Sequence, residues 1–186
     1  MTSTDVVDLY VRSSALFGEA LSVVTIDLWN EPTLCGDWDI QALAVHVVSG
    51  EAQLISLVED GIFIDQEIAS GALGPDPLAV WRGTALKAIS LVKKTPLDQS
   101  LPHPTMDLTL ERLLGARITD NAVHAWDLMK ALGKDHVIED DIAEWLLDYW
   151  LPLFDFLAES DHFDSPVTPA NDSPSSRLLG LLGRQI

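Results

Sequence analysis

Apolar residues recur at every third or fourth position over long stretches of this chain, the period of a helix with one buried face, and no comparable stretch alternates as a half-buried strand would. From Thr4 to Trp29, Val6, Leu9, Val11, Leu16, Leu21, Val24 and Leu28 keep that period, although several β-branched residues lower the local helix propensity. Asn30, Pro32, Gly36 and Asp37 interrupt it. Asp39 is suited to cap a second helix over about Ile40–Asp60, because its carboxylate can accept from the free N–H groups of the first turn. Leu43, Val47, Leu54 and Val58 line one side of that helix. After an irregular connector, Gly61 to Pro75, the pair Asp76-Pro77 joins a cap acceptor to a proline whose missing N–H costs nothing there, and a third helix runs to about Lys94. Pro96, Pro102 and Pro104 mark the next loop. A fourth helix, from about Thr109 to Leu132, ends at Gly133, a good residue for the position after a helix.

A fifth helix, about Glu139–Glu159, carries Trp145, Tyr149, Trp150, Phe154 and Phe156, and Pro152 kinks or divides it. A proline-rich extended return follows. Ser173-Pro174 then leads into a short terminal helix, Arg177 to Leu182. The pattern predicts an all-α fold, a four-helix bundle with an additional C-terminal helical segment, forming one domain over 1–186 with its main bundle at about 4–160.

Composition narrows the partners. Apolar residues make up 47% of the 186, which suits a globular core, and the formal charge of −18 would repel a phosphate backbone. Nucleic acid is therefore not an expected partner. No basic leader precedes an apolar run and no uninterrupted apolar stretch spans a bilayer, so a cytoplasmic protein without membrane attachment is expected. The single Cys35 excludes an internal disulfide. It lies beside Gly36 in a loop-like segment with no helper base at a diagnostic spacing, so no reactive role is assigned to it. His103, His136 and His162 also fall in loop-like contexts and form no constellation.

The fourth helix carries the candidate chemistry. Leu110, Leu114, Ile118, Asn121, Ala125 and Met129 form its buried stripe; Leu113, Arg117, Asp120, His124 and Asp127 form a second stripe turned by roughly 80–100°. The polar stripe therefore borders the core. Asp120 and His124, one turn apart, can converge on one ion, with His46 of the second helix as a third donor. Gly50, one turn beyond His46, leaves room above that ring. The same residues also fit a plainer account, with His46 a hydrogen-bonded core residue and Asp120–His124 a helical hydrogen bond. Glu51 competes as a carboxylate donor but lies about 140° around the helix from His46. Arg117 either neutralises Asp120 or clamps an anionic substrate group. Asp127 can accept from an imidazole nitrogen and orient it.

At the segments WNEPTLCGDWDIQALAVHVVSGE (Trp29–Glu51), TDNAVHAWDLMKALG (Thr119–Gly133) and RLLGLLGR (Arg177–Arg184) the chain resembles the DinB-like superfamily, and more closely its mycothiol-dependent maleylpyruvate isomerase branch. The resemblance implies a four-helix bundle holding a divalent metal, zinc or nickel, near one end. The family's first histidine falls on His46, and its helix-four pair on Asp120 and His124. The isomerase branch has glutamate where this chain has Asp120, so the shorter acid is expected to reach an ion by a backbone shift or through water. The isomerase also carries a further C-terminal domain, for which residues 161–186 are too few, so maleylpyruvate isomerisation itself is not expected.

The resemblance then implies a thiol-dependent transferase or isomerase using mycothiol or a similar low-molecular-weight thiol on a small electrophilic substrate. His46, Asp120 and His124 would hold the metal, Arg117 would clamp a substrate carboxylate, and Asp127 would support the site. The reacting thiol would be external, with no route from Cys35. The alternative is a non-catalytic metal- or small-ligand-binding bundle with a structural, sensing or stress-response role. Exposed helix faces allow a homodimer.

Overall fold

Capping residues set where the helices begin. In the computed structural model, which describes residues 5–64, 66–154 and 163–185, α1 spans Val6–Ser22, α2 Ile40–Glu59, α3 Pro77–Val92, α4 Leu110–Ala131, α5 Asp140–Trp150 and α6 Pro174–Leu181. The Asp39 carboxylate accepts from the Ala42 N–H, Asp76 from Ala79 with Pro77 in the first turn, and Ser173 from Ser176 with Pro174 behind it. Gly133, at φ 65°, takes the left-handed conformation after α4 that a Cβ would disfavour.

Three boundaries differ from the periodicity. The first helix stops at Ser22, and Ile26–Leu28 form a separate 3₁₀ turn, where β-branched Val23, Val24 and Thr25 interrupt the helix. The fifth ends at Trp150 in a 3₁₀ turn over Leu151–Leu153, because Pro152 has no N–H to continue the helix. Phe156, the expected run to Glu159, His162 and the Thr4 start lie outside the described residues. The terminal helix begins at Pro174, earlier than Arg177, once the Ser173 cap is made. Two-residue strands, β1 (Ser100–Leu101) and β2 (Leu108–Thr109), pair antiparallel and close the loop before α4.

The chain divides into two compact units, Met1–Lys134 and Asp135–Ile186. In the first, α4 packs on α1 and α2, and α3 packs on the same two helices, so α1 and α2 occupy opposite corners of a four-helix bundle. Phe17, Leu43, Val47 and Trp81 lie in its apolar core, with the Phe17 and Trp81 rings edge to face at 4.8 Å. By length and composition alone α2 is apolar enough to cross a membrane; here more than half of that apolar stretch is buried inside the protein. From Leu113 to Leu128, α4 is buried on every side except at the partly exposed Ala116 and Asp120, so its polar stripe lies inside the protein and not at a border. In the second unit α5 packs on α6. There Val167 N–H donates to the Gly180 carbonyl at 2.9 Å, an approach so close that a Cβ on Gly180 would meet the Val167 oxygen.

A buried polar cluster ties three helices of the bundle together. The Tyr10 hydroxyl of α1 donates to Glu51 Oε2 of α2. Asn121 Nδ2 of α4 donates to Glu51 Oε1 at 3.0 Å and to Ser14 Oγ at 3.2 Å. Burial raises the Glu51 pKa above its ordinary 4.5, and the opposing pull of Arg117 and the hydrogen bonds from Tyr10 and Asn121 do not cancel it. The native state therefore holds a proton here that the unfolded chain releases, a contribution present at acid pH and lost as pH rises through the raised value. In urea titrations across pH, wild-type stability should fall relative to Glu51→Gln from about pH 4.5 upward, with a slope difference of at most about 1.4 kcal/mol per pH unit. Parallel curves for the two proteins would remove Glu51 as the source.

Candidate metal centre

His46 lies in the second turn of α2, and Asp120 and His124 one turn apart on the facing α4. One ligand atom from each lies within 4.8 Å of the others, so the bundle does bring the three predicted donors together. His46 Nε2 is 3.5 Å from Asp120 Oδ2, close to the separation of two donors on one tetrahedral ion. Asp120, despite its shorter side chain, thus stands beside His46 Nε2. The two imidazoles stand edge to face with centroids 5.3 Å apart, and the Trp38 ring lies 4.7 Å from that of His46.

Each histidine is oriented through its other nitrogen. His46 Nδ1 donates to Glu67 Oε1 at 2.8 Å, and His124 Nδ1 donates to Asp127 Oδ2 at 3.0 Å. A neutral imidazole held in this way carries its proton on Nδ1 and keeps the Nε2 lone pair, the arrangement by which carboxylates support metal-binding histidines. Asp127 thus faces His124 as expected. The helical hydrogen bond considered between Asp120 and His124 is not the one His124 Nδ1 makes. Two imidazoles and one carboxylate suit a borderline divalent ion such as zinc or nickel and leave further coordination positions for other ligands.

Charge is balanced by Arg117. Its Nη2 donates to Asp120 Oδ2, and its side chain is only 10% exposed. Burial works against the Asp120 carboxylate, but Arg117 and then His46 outweigh it and hold the pKa well below the usual carboxylate range. Burial likewise opposes a charged His46, yet Asp120 and Glu67 raise its pKa overall. Gly50 makes no room for an imidazole. A Cβ there would fall 1.2 Å from Arg117 Nη1, so the missing side chain is what lets the guanidinium lie against α2. Arg117 Nε and Nη1 have no hydrogen-bond partner among the described residues. Glu51 is fully buried in the Tyr10–Asn121 cluster and does not join the metal donors.

Cys35 requires a correction. Sequence spacing gives it no helper and no route to the site, yet its thiol donates to Asp127 Oδ2 at 3.1 Å and lies 3.8 Å from His124 Nδ1. The intervening loop explains this. Thr33 Oγ1 accepts from Cys35 N–H at 3.1 Å and donates to the Trp38 carbonyl at 2.8 Å, while Trp38 N–H donates to the Cys35 carbonyl at 3.0 Å. That tight turn, with Gly36 at φ 55°, carries the thiol to α4. Cysteine and aspartate meet the same imidazole nitrogen, which is not the relay of a Cys-His-Asp nucleophile, where they would take opposite nitrogens. Glu67 was also missed: it belongs to the irregular connector after α2, in no motif, and no sequence signal marks it.

Residues 12–129 match the family model described as the mycothiol maleylpyruvate isomerase N-terminal domain, a span containing all of the donors above. Over 180 residues the chain is 27% identical to an uncharacterized protein of Mycobacterium tuberculosis strain CDC 1551 / Oshkosh, covering 94% of this chain and 95% of the relative. An uncharacterized protein of strain H37Rv matches to the same extent. No solved structure matches. The bundle, its paired histidines and the matched span lead to one conclusion: this chain belongs to the mycothiol maleylpyruvate isomerase N-terminal domain family of DinB-like helical bundles.

Proposed function

We propose that the protein binds a divalent metal, zinc or nickel, through His46 Nε2, Asp120 and His124 Nε2, and acts as a thiol-dependent transferase or isomerase on a small electrophilic substrate. The observation that carries the metal reading is that His46, Asp120 and His124 each bring a ligand atom within 4.8 Å of the others, while the carboxylates of Glu67 and Asp127 hold the two Nδ1 atoms. The family to which the chain belongs supports mycothiol or a similar low-molecular-weight thiol as co-substrate.

A bound metal with an open position would lower the pKa of a thiol beside it and stabilise the thiolate as nucleophile. The chain's own residues do the rest. Glu67 and Asp127 hold the imidazoles, Trp38 walls one side of His46, and Arg117 fixes the Asp120 carboxylate. A clamp on a substrate carboxylate would have to come from the same guanidinium, whose Nε and Nη1 have no hydrogen-bond partner among the described residues. The second reading is a non-catalytic metal- or small-ligand-binding bundle. It is favoured by the burial of the site, since His124 and Asp120 side chains are 9% and 15% exposed. A thiol-dependence screen against electrophilic substrates separates the two.

Protein purified without chelator or nickel resin should carry one divalent ion per chain by elemental analysis. Supplied with nickel, His46→Ala and His124→Ala should take up none while keeping the wild-type circular dichroism. Glu67→Ala should weaken binding by about 10- to 100-fold, as removal of an orienting carboxylate does. Folded wild-type protein that takes up no metal on supplementation would sink the proposal.

A further inference from the structure

Beside the metal centre stands a second group of donors that the proposed function does not use. Cys35 Sγ, His124 Nδ1 and Asp127 Oδ2 form a triangle with sides of 3.8, 3.1 and 3.0 Å. Donors bound tetrahedrally to one zinc-like ion stand about 3.3 to 3.6 Å apart, given the usual lengths of metal–sulfur, metal–nitrogen and metal–oxygen bonds. Each side is therefore within about half an ångström of the required edge, and small side-chain rotations supply the difference. The backbone is fixed on both sides, by the Thr33–Trp38 turn that carries Cys35 and by α4 itself.

We propose that Cys35, His124 and Asp127 form a second metal position, selective for thiophilic divalent ions and mutually exclusive with the His46–Asp120–His124 position. Exclusion follows from the shared residue. A neutral imidazole has one lone pair, so His124 can bind through Nε2 or through Nδ1 but not both. Binding at the second position moves the His124 proton from Nδ1 to Nε2 and releases the Cys35 thiol proton, so one proton leaves for each ion bound.

Charge and softness favour this position for a different set of ions. Thiolate and carboxylate together neutralise a dication. The first position offers a single carboxylate, which the Arg117 guanidinium already engages. Thiolate selects soft ions, whereas imidazole with carboxylate suits nickel. Which position fills would then depend on which metal the cell supplies, and the chain would respond to a soft ion by withdrawing His124 from the first position.

The test uses the full-length protein, freed of metal, with cadmium and nickel chlorides as probes. Cadmium should bind with a thiolate-to-metal charge-transfer absorption, release about one proton, and exclude nickel at a total of one ion per chain. Cys35→Ser should lose that absorption and about tenfold or more in cadmium affinity, while nickel affinity stays within about threefold. Asp127→Asn should also weaken cadmium. His46→Ala should keep the cadmium absorption and lose nickel, with circular dichroism confirming the fold of each variant. Cadmium binding without thiolate absorption, binding indifferent to Cys35→Ser, or simultaneous occupancy by cadmium and nickel would overturn the proposal. Failure of nickel alone, with the cadmium absorption intact, would count against the first position and leave this one standing.

Discussion

The constraint on which this structure turns is the burial of charge along α4. Arg117, Asp120, His124 and Asp127 lie on a helix shielded on almost every side, where an uncompensated charge is costly and removal of one partner of a buried pair typically costs about 3–5 kcal/mol. Each of these groups is met by a partner, on α4 itself or from elsewhere in the bundle. Arg117 lies in the gap left by Gly50 and holds Asp120; Glu51, drawn into the interior by Tyr10 and Asn121, lies within its electrostatic reach. Asp127 is met by His124 and by the Cys35 thiol. Packing and electrostatics thus specify one another. A side chain at Gly50 would displace the guanidinium, and without the guanidinium the Asp120 carboxylate would sit partly desolvated beside two imidazoles.

The candidate metal site is a consequence of the same arrangement. Two histidines are placed edge to face, each with Nδ1 held by a carboxylate, so the rings have little freedom. The orienting groups come from structurally unlike places, Glu67 from an irregular connector and Asp127 from α4. A rigid helix fixes one imidazole to within its own geometry. The other takes its orienting carboxylate from the loop, through Glu67.

Much of the bundle was legible from short-range signals. Asp39, Asp76-Pro77, Ser173-Pro174 and Gly133 act through backbone groups a few residues away, so their roles could be read without a fold. The same holds for the facing of Asp120 and His124, one turn apart on a helix. Pairing those residues with His46 needed a resemblance, because spacing along the chain says nothing of which helices are neighbours. Cys35 and Glu67 escaped altogether. Their positions are set by a turn closed through Thr33 and Trp38 and by a connector without periodicity, and neither geometry leaves a trace in hydrophobic pattern. Gly50 was noticed for its size but assigned the wrong neighbour: it clears space for Arg117, not for a ring.

The central claim is that His46, Asp120 and His124 share one ion through the nitrogens that Glu67 and Asp127 leave available. It is tested most directly by a crystal structure of nickel-loaded protein with an anomalous difference map collected at the nickel edge. The account predicts a single strong peak about 2.0–2.2 Å from both Nε2 atoms and from an Asp120 oxygen. A map without a peak at that position in fully loaded protein, or a peak bounded by other residues, would contradict it.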